Sequence, residues 1–265
     1  MTLAISIHDS FDDLDRSEFN SIGFSEGGSD AGATIRNLLP LGEKLQVPET
    51  VSSVQRPRLN EMLELSAEKY GATLISGRAG TGKTWLAADF AKGQKSASWY
   101  SIDPTDIEWG VFSHYFSECV KSSGKDRGTA NDAYLLHGNI AQFLADCFPL
   151  QKKSASKKSR LLVLDNVHHI FDADWFGDFF NLLIASMPSN THLLMLCRSR
   201  PPAPLWRLRS KQMLNVIDEK LLAFTREETR EFFMQHDMPE QLADLVQRES
   251  FGRISKIKQF LGLLP

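Results

Sequence analysis

Residues 77 to 84 read Gly77-Arg78-Ala79-Gly80-Thr81-Gly82-Lys83-Thr84, a complete G-x-x-x-x-G-K-[ST] loop. Those residue types at that spacing suit the grip of a di- or triphosphate. Backbone N–H groups must close around the anion at van der Waals distance, so glycine stands where a side chain would collide or where φ must be positive. Gly77, Gly80 and Gly82 fill these places, and Arg78, Ala79 and Thr81 complete the loop. Lys83 offers a compact charge to the β- and γ-phosphates and Thr84 a hydroxyl to Mg²⁺. A helix starting there aims the positive end of its dipole at the anion.

A second strand ending in a carboxylate is needed beside such a loop, because Mg²⁺ keeps several waters and is steered through them. Leu161-Leu162-Val163-Leu164-Asp165 has that shape. The next residue is Asn166, where a second acid would take a proton from an attacking water. An amide orients water but does not accept its proton, so slow turnover is expected. His192-Leu193-Leu194-Met195-Leu196-Cys197 runs into Arg198. A guanidinium there forks onto γ-phosphate oxygens and separates triphosphate from diphosphate. The expected catalytic set is therefore Lys83, Asp165, Asn166 and Arg198, with Thr84 and Asp165 serving Mg²⁺ largely through water.

Other polar residues have plainer readings beside the chemical one. His168 and His169 are adjacent, point to opposite sides of an extended chain and lack a third ligand, so they read as structural. Asp103 and Asp106 either approach the magnesium waters or serve turns and caps, with Thr105 and Glu108 as a capping box. Arg200, Arg207, Arg209 and Lys211 read as a solvated helix face or as a finger reaching a neighbouring subunit's phosphate.

The elements that must position these residues alternate. Helix signals at 57–69, 83–93, 107–121, 131–148, 173–186 and 204–210 interleave with strand-like runs at 72–76, 98–102, 161–165, 192–197 and 213–217. That alternation predicts an α/β fold, a doubly wound parallel five-stranded sheet. After residue 220 the strands stop, and Thr225-Arg226-Glu227-Glu228 caps the first helix of a small C-terminal helical subdomain. Residues 1–43 are acidic and aperiodic and read as a flexible arm, 44–220 as the nucleotide-binding domain, and 221–265 as a helical lid. Two linkers are expected, 121–129 and 151–160, the second carrying Lys152, Lys153, Lys157 and Lys158.

The 265-residue chain is long enough to bury a full α/β core, and its net charge of −3 gives no global basic field for nucleic acid. Cys119, Cys147 and Cys197 match no metal or redox spacing. No leader and no apolar run of membrane-spanning length is evident, so a cytoplasmic protein without a membrane partner is expected.

Several segments together resemble one family, the signal-transducing P-loop ATPases of the MalT type, large LuxR-like regulators of the STAND class. They are Lys44-Leu45-Gln46-Val47-Pro48, Val54-Gln55-Arg56-Pro57-Arg58-Leu59, the phosphate loop, Trp99-Tyr100-Ser101-Ile102-Asp103, Leu164-Asp165-Asn166-Val167-His168, Cys197-Arg198-Ser199-Arg200 and Leu222-Ala223-Phe224-Thr225-Arg226-Glu227-Glu228. Their order and spacing match over residues 44 to 265. The resemblance implies ATP or ADP with Mg²⁺ as ligands, and a sheet that places the Arg198 strand between those of Gly77 and Asp165. It further implies that Arg56 and Arg58 lie near the adenine, and that ADP holds a closed form while ATP permits a self-associating one. Departures are Asn166, Gly252-Arg253-Ile254 where a Gly-x-Pro is common, and a chain ending at Pro265 with no helix-turn-helix. A weak ATPase switch that self-associates or engages a separate effector subunit is the expected function. A motor or loader acting on nucleic acid and a scaffold that never turns its nucleotide over are the alternatives.

Overall fold

The computed structural model describes residues 41–50, 54–122, 139–149 and 160–262. In chain order the helices are α1 Leu41–Lys44, α2 Pro57–Lys69, α3 Lys83–Lys92, α4 Trp109–Ser122, α5 Ile140–Cys147, α6 Phe176–Ser186, α7 Ala203–Ser210, α8 Glu219–Leu222, α9 Arg226–Gln235, α10 Glu240–Ser250 and α11 Ile254–Phe260. The strands are β1 Ala72–Ser76, β2 Ser96–Ser101, β3 Arg160–Asp165, β4 Thr191–Cys197 and β5 Leu214–Ile217. They form one five-stranded sheet in the order β2-β3-β4-β1-β5, with every neighbouring pair parallel.

The alternation of side chains along each strand decides what covers the sheet. Leu74, Leu162, Leu164, Leu193 and Met195 join a cluster with Phe112, Tyr115 and Phe116 of α4, Phe176, Phe179 and Phe180 of α6, and Leu205 and Leu208 of α7. Ile75, Leu161, Val163, Leu194 and Leu196 turn to the other face, against Leu59 and Leu63 of α2 and Leu86 and Phe90 of α3. Covered on both faces, β4 is buried along its whole length, which is why it reads as an unbroken apolar run. Each large side chain buried here contributes roughly 1.5–3 kcal/mol by removal from water. A third cluster, built on Val54, Phe224, Phe232, Phe233, Ala243, Val246 and Ile257, joins α9, α10 and α11.

The expected strands agree with the observed ones to within two residues at each end. β2 begins at Ser96 rather than 98, because its polar start pairs with Arg160 to Leu162 and carries no apolar signal of its own. The helix expected over 131–148 is described only as α5, since 123–138 lie outside the described residues, as do the lysine-bearing linker at 151–159 and the acidic segment 1–40. Among the described residues, no helix is long and apolar enough to cross a membrane.

Candidate nucleotide-binding site

The loop expected to wrap phosphate connects β1 to α3, at the edge where the parallel strands end. Gly80 and Gly82 have φ of +74° and +87°, a region costly for residues with a Cβ. A Cβ on Gly77 would stand 3.1 Å from Thr81 Oγ1, and one on Gly80 2.7 Å from Ser255 Cβ. The glycines therefore satisfy both demands at once, backbone shape and close approach. α3 opens at Lys83 with no side chain capping its first turn, which leaves its N–H groups and dipole facing the loop.

Lys83 is buried, and its ammonium donates to the carbonyls of Gly77 at 2.5 Å and Arg78 at 2.8 Å, with a longer 3.3 Å contact to Thr81 Oγ1. Burial lowers its pKa from the ordinary lysine value, and the nearby Arg198 lowers it further. Asp165, at the end of β3, accepts from Thr84 Oγ1 at 3.0 Å and from the Asn166 amide at 2.7 Å. Burial raises its carboxyl, while Lys83 and Arg198 act in the opposite direction. Thr84 and Asp165 thus already meet, as one hydroxyl and one carboxylate must to share the hydration shell of Mg²⁺. The donor set fits a hydrated divalent cation that counts on phosphate oxygens for its remaining ligands.

β4 lies between β1 and β3, and the Gly77 amide donates to Cys197 O at 3.2 Å. Arg198 therefore leaves the sheet between the loop and Asp165, exposed, and near enough to shift both Lys83 and Asp165. Asn166 follows in the left-handed region at φ 59°, a conformation asparagine tolerates far better than glutamate, and caps a 3-10 turn over Val167–Ile170. That turn holds His168 and His169, with ring centroids 4.3 Å apart. Burial, then His169, Arg198 and Lys83 push the His168 imidazole down to about 4, so it is neutral at pH 7. Among the described residues no group of three or more potential ligands surrounds a metal position.

Arg56 and Arg58 are both engaged within the chain. Arg56 donates to the carbonyls of Leu222 and Ala223 at 2.9 and 3.0 Å and to Glu228 Oε2 at 2.9 Å, and its guanidinium lies over the Phe224 ring. Arg58 donates to the carbonyls of Leu221 and Ala223. Both thus brace the wall of the neighbouring cleft from behind and do not line it. Asp103 and Asp106 are engaged within the chain as well. They bind the ammonium of Lys44 at 2.7 Å each, and Lys44 also sits over the Tyr115 ring. The expected Thr105–Glu108 box is instead a box between Asp103 and Asp106 around the 3-10 turn Pro104–Ile107, because the turn begins two residues earlier than read.

One group of residues escaped sequence reading. Glu219 accepts from Arg78 Nε and Nη2 and from its backbone amide, and also from Arg253 Nη2 at 2.9 Å. Arg78 holds the Glu219 carboxyl down at about 2. The Ser255 amide donates to Gly80 O at 3.3 Å, so the first turn of α11 rests on the loop. Beside this latch opens a cleft of about 400 Å³, lined by Arg78, Thr81, Leu222, Ala223, Phe251 and Gly252 among others. In the sequence, Gly252-Arg253-Ile254 marked this place: Gly252 has φ +69° and a hypothetical Cβ 2.4 Å from Phe224 O, and Arg253 is the second partner of Glu219.

No model of a known protein family matches the chain. It is similar to the HTH-type transcriptional regulator MalT of Serratia proteamaculans (strain 568), 27% identical over 182 residues, which is 69% of this chain and 20% of that protein. MalT of Vibrio cholerae serotype O1 is 27% identical over 191 residues, again 69% of this chain and 20% of the regulator. The chain therefore spans about a fifth of the length of these curated relatives. Among solved structures, a STAND protein with a tetratricopeptide repeat sensor from Pyrococcus horikoshii shares the fold, with TM-score 0.55 at 17% identity over 78% of this chain and 29% of that one. By sequence the chain is thus similar to one part of the MalT regulators, and its P-loop fold is that of a STAND protein.

Proposed function

We propose that the chain is an ATP-binding, slowly hydrolysing switch module of a transcriptional or signalling regulator, whose ATP and ADP states set self-association or partner binding. The observation that carries this reading is the meeting of the Gly77–Thr84 loop, Asp165 and Arg198 at one sheet edge, with the first turn of α11 lying on the loop. In this reading the loop amides and Lys83 take the phosphates, and the long Lys83–Thr81 contact is the one most readily exchanged for a phosphate oxygen. Mg²⁺ at Thr84 and Asp165 supplies charge neutralisation. The apolar wall of the cleft, Leu222, Ala223 and Phe251, takes a planar base. Arg198 contacts a group that ATP has and ADP lacks, and a switch requires such differential affinity.

Asn166 beside Asp165 accepts no proton, so intrinsic turnover falls far below the ~1 to 100 per second of kinases. The Glu219 latch favours a second feature, slow nucleotide release, and complete failure to exchange would make the chain a nucleotide-holding scaffold instead. Fast turnover stimulated by DNA would favour the motor reading. Equilibrium titration with ADP and with ATP–Mg²⁺ tests the proposal. Binding of both that is lost in Lys83→Ala is expected; binding of neither, or full retention in the variant, rejects it.

A further inference from the structure

Residues 179–217 contain no Asp or Glu, yet Arg198, Arg200, Arg207, Arg209 and Lys211 lie in that stretch and all are exposed. In the middle stands Trp206 on α7, 41% exposed, with the Arg209 guanidinium 5.0 Å from its ring. Arg200, Arg207 and Lys211 make no ion pair with a described residue. Exposed tryptophan among arginines is the composition that anchors protein interfaces. Solvation alone explains a lysine-rich face better than this one, since a bare indole gains nothing from water.

The matching surface lies on the same molecule. Between α2 and α3 opens a cleft of about 320 Å³, lined by Gln55, Pro57, Asn60, Glu61, Glu64 and Asp89. Glu61 and Glu64 are exposed, and Leu65 beside them is 54% exposed. The segment around α7 thus carries exposed cations and an aromatic knob, and the cleft is rimmed by carboxylates with an apolar neighbour. α7 packs its Leu205 and Leu208 on one face of the sheet, and α2 and α3 pack on the opposite face. On opposite faces of the sheet, the two do not meet within a single chain. Contact between unlike surfaces of identical chains repeats head to tail, as a ring or a filament.

We infer that α7 of one copy, with Trp206 as anchor, docks into the acid-rimmed α2–α3 cleft of the next. This rests on the switch reading above and names the surfaces through which self-association runs. Only residues 199–202 separate Arg198 from α7, so the group proposed to read the γ-phosphate and the docking helix are joined by one short connection. Nucleotide state and assembly are then linked through that connection.

The test is sedimentation velocity of the full chain with ATP–Mg²⁺ at low and high salt. The wild type is expected to form species larger than a dimer, weakened by salt because the contact is charged. Trp206→Ala/Arg207→Ala and Glu61→Ala/Glu64→Ala should each weaken association at least ~10-fold while still binding nucleotide, which shows them folded. Mixed together, the two variants should give a one-to-one dimer and nothing larger, since each keeps one intact face. Assembly unaffected in either variant, or a mixture that stays monomeric, overturns the docking mode and leaves the switch reading standing. A wild type monomeric with both ATP and ADP likewise overturns the docking mode, whereas binding of neither nucleotide overturns the switch reading on which it rests.

Discussion

Two buried polar clusters sit at opposite ends of the same sheet and follow opposite rules. Where the strands begin, Ser66 Oγ and Thr73 Oγ1 are 2.6 Å apart, Thr73 Oγ1 and His192 Nε2 2.9 Å, and Asn215 Nδ2 donates to Ser66 Oγ at 2.9 Å. His192 Nδ1 completes the chain at Tyr70 O. Polar groups there are consumed by one another, as burial demands. Where the strands end, Lys83 and Asp165 carry opposite charges, are nearly as buried, and form no ion pair. His168 Nδ1 is buried with no partner, and Arg198 stands exposed beside them. The first cluster stabilises the fold; the second keeps charge in reserve for something the chain does not contain.

Breaking each cluster should therefore show up in different measurements. Lys83→Ala should lower nucleotide affinity by ~100-fold or more, as truncating a buried charged partner does, while the thermal midpoint stays level or rises. A collapse of the fold in that variant would erase the distinction. Thr73→Val preserves shape but strips Ser66 and His192 of a partner, so it should cost about 1–3 kcal/mol in denaturant unfolding. Its nucleotide affinity should stay within about a factor of two.

A pH series sharpens the contrast further. The His168 imidazole titrates at about 4 against an ordinary 6.5, so the unfolded chain takes up a proton in that window and the folded one does not. Stability from this site is complete above pH 6.5 and declines as the pH falls towards 4. His168→Gln should flatten melting midpoint against pH there, with His169, Arg198 and Lys83 still in place. The smallest effect is expected from Glu219→Ala, which frees the exposed Arg78 and the half-buried Arg253. Global stability should change by less than ~1 kcal/mol, and stopped-flow release of a fluorescent nucleotide should quicken.

How much of this was written in the sequence depends on the range of the interaction. The loop, its strand and its helix are local, and glycine spacing with apolar periodicity announces them. The place of the Arg198 strand was implied by resemblance, and the sheet order β2-β3-β4-β1-β5 agrees. What stayed hidden joins distant segments. Lys44 reaches Asp106 across 62 positions and Arg78 reaches Glu219 across 141, and no periodicity marks such a pair. Arg56 and Arg58 show the same limit from the other side. The resemblance implied a place near the adenine for them, and the carbonyls at the end of α8 that occupy them carry no signal in the sequence. Asn166 was read as a missing base, whereas its left-handed backbone gives a conformational reason for the residue.

The central claim is that the end of the sheet carrying unspent charge reads a terminal phosphate, and comparing ATP and ADP affinities in the wild type and in Arg198→Ala tests it most directly. The account predicts that the variant loses about tenfold or more for ATP–Mg²⁺ and keeps its ADP affinity, so that the ratio of the two collapses. Equal loss for both nucleotides, or none for either, would contradict it.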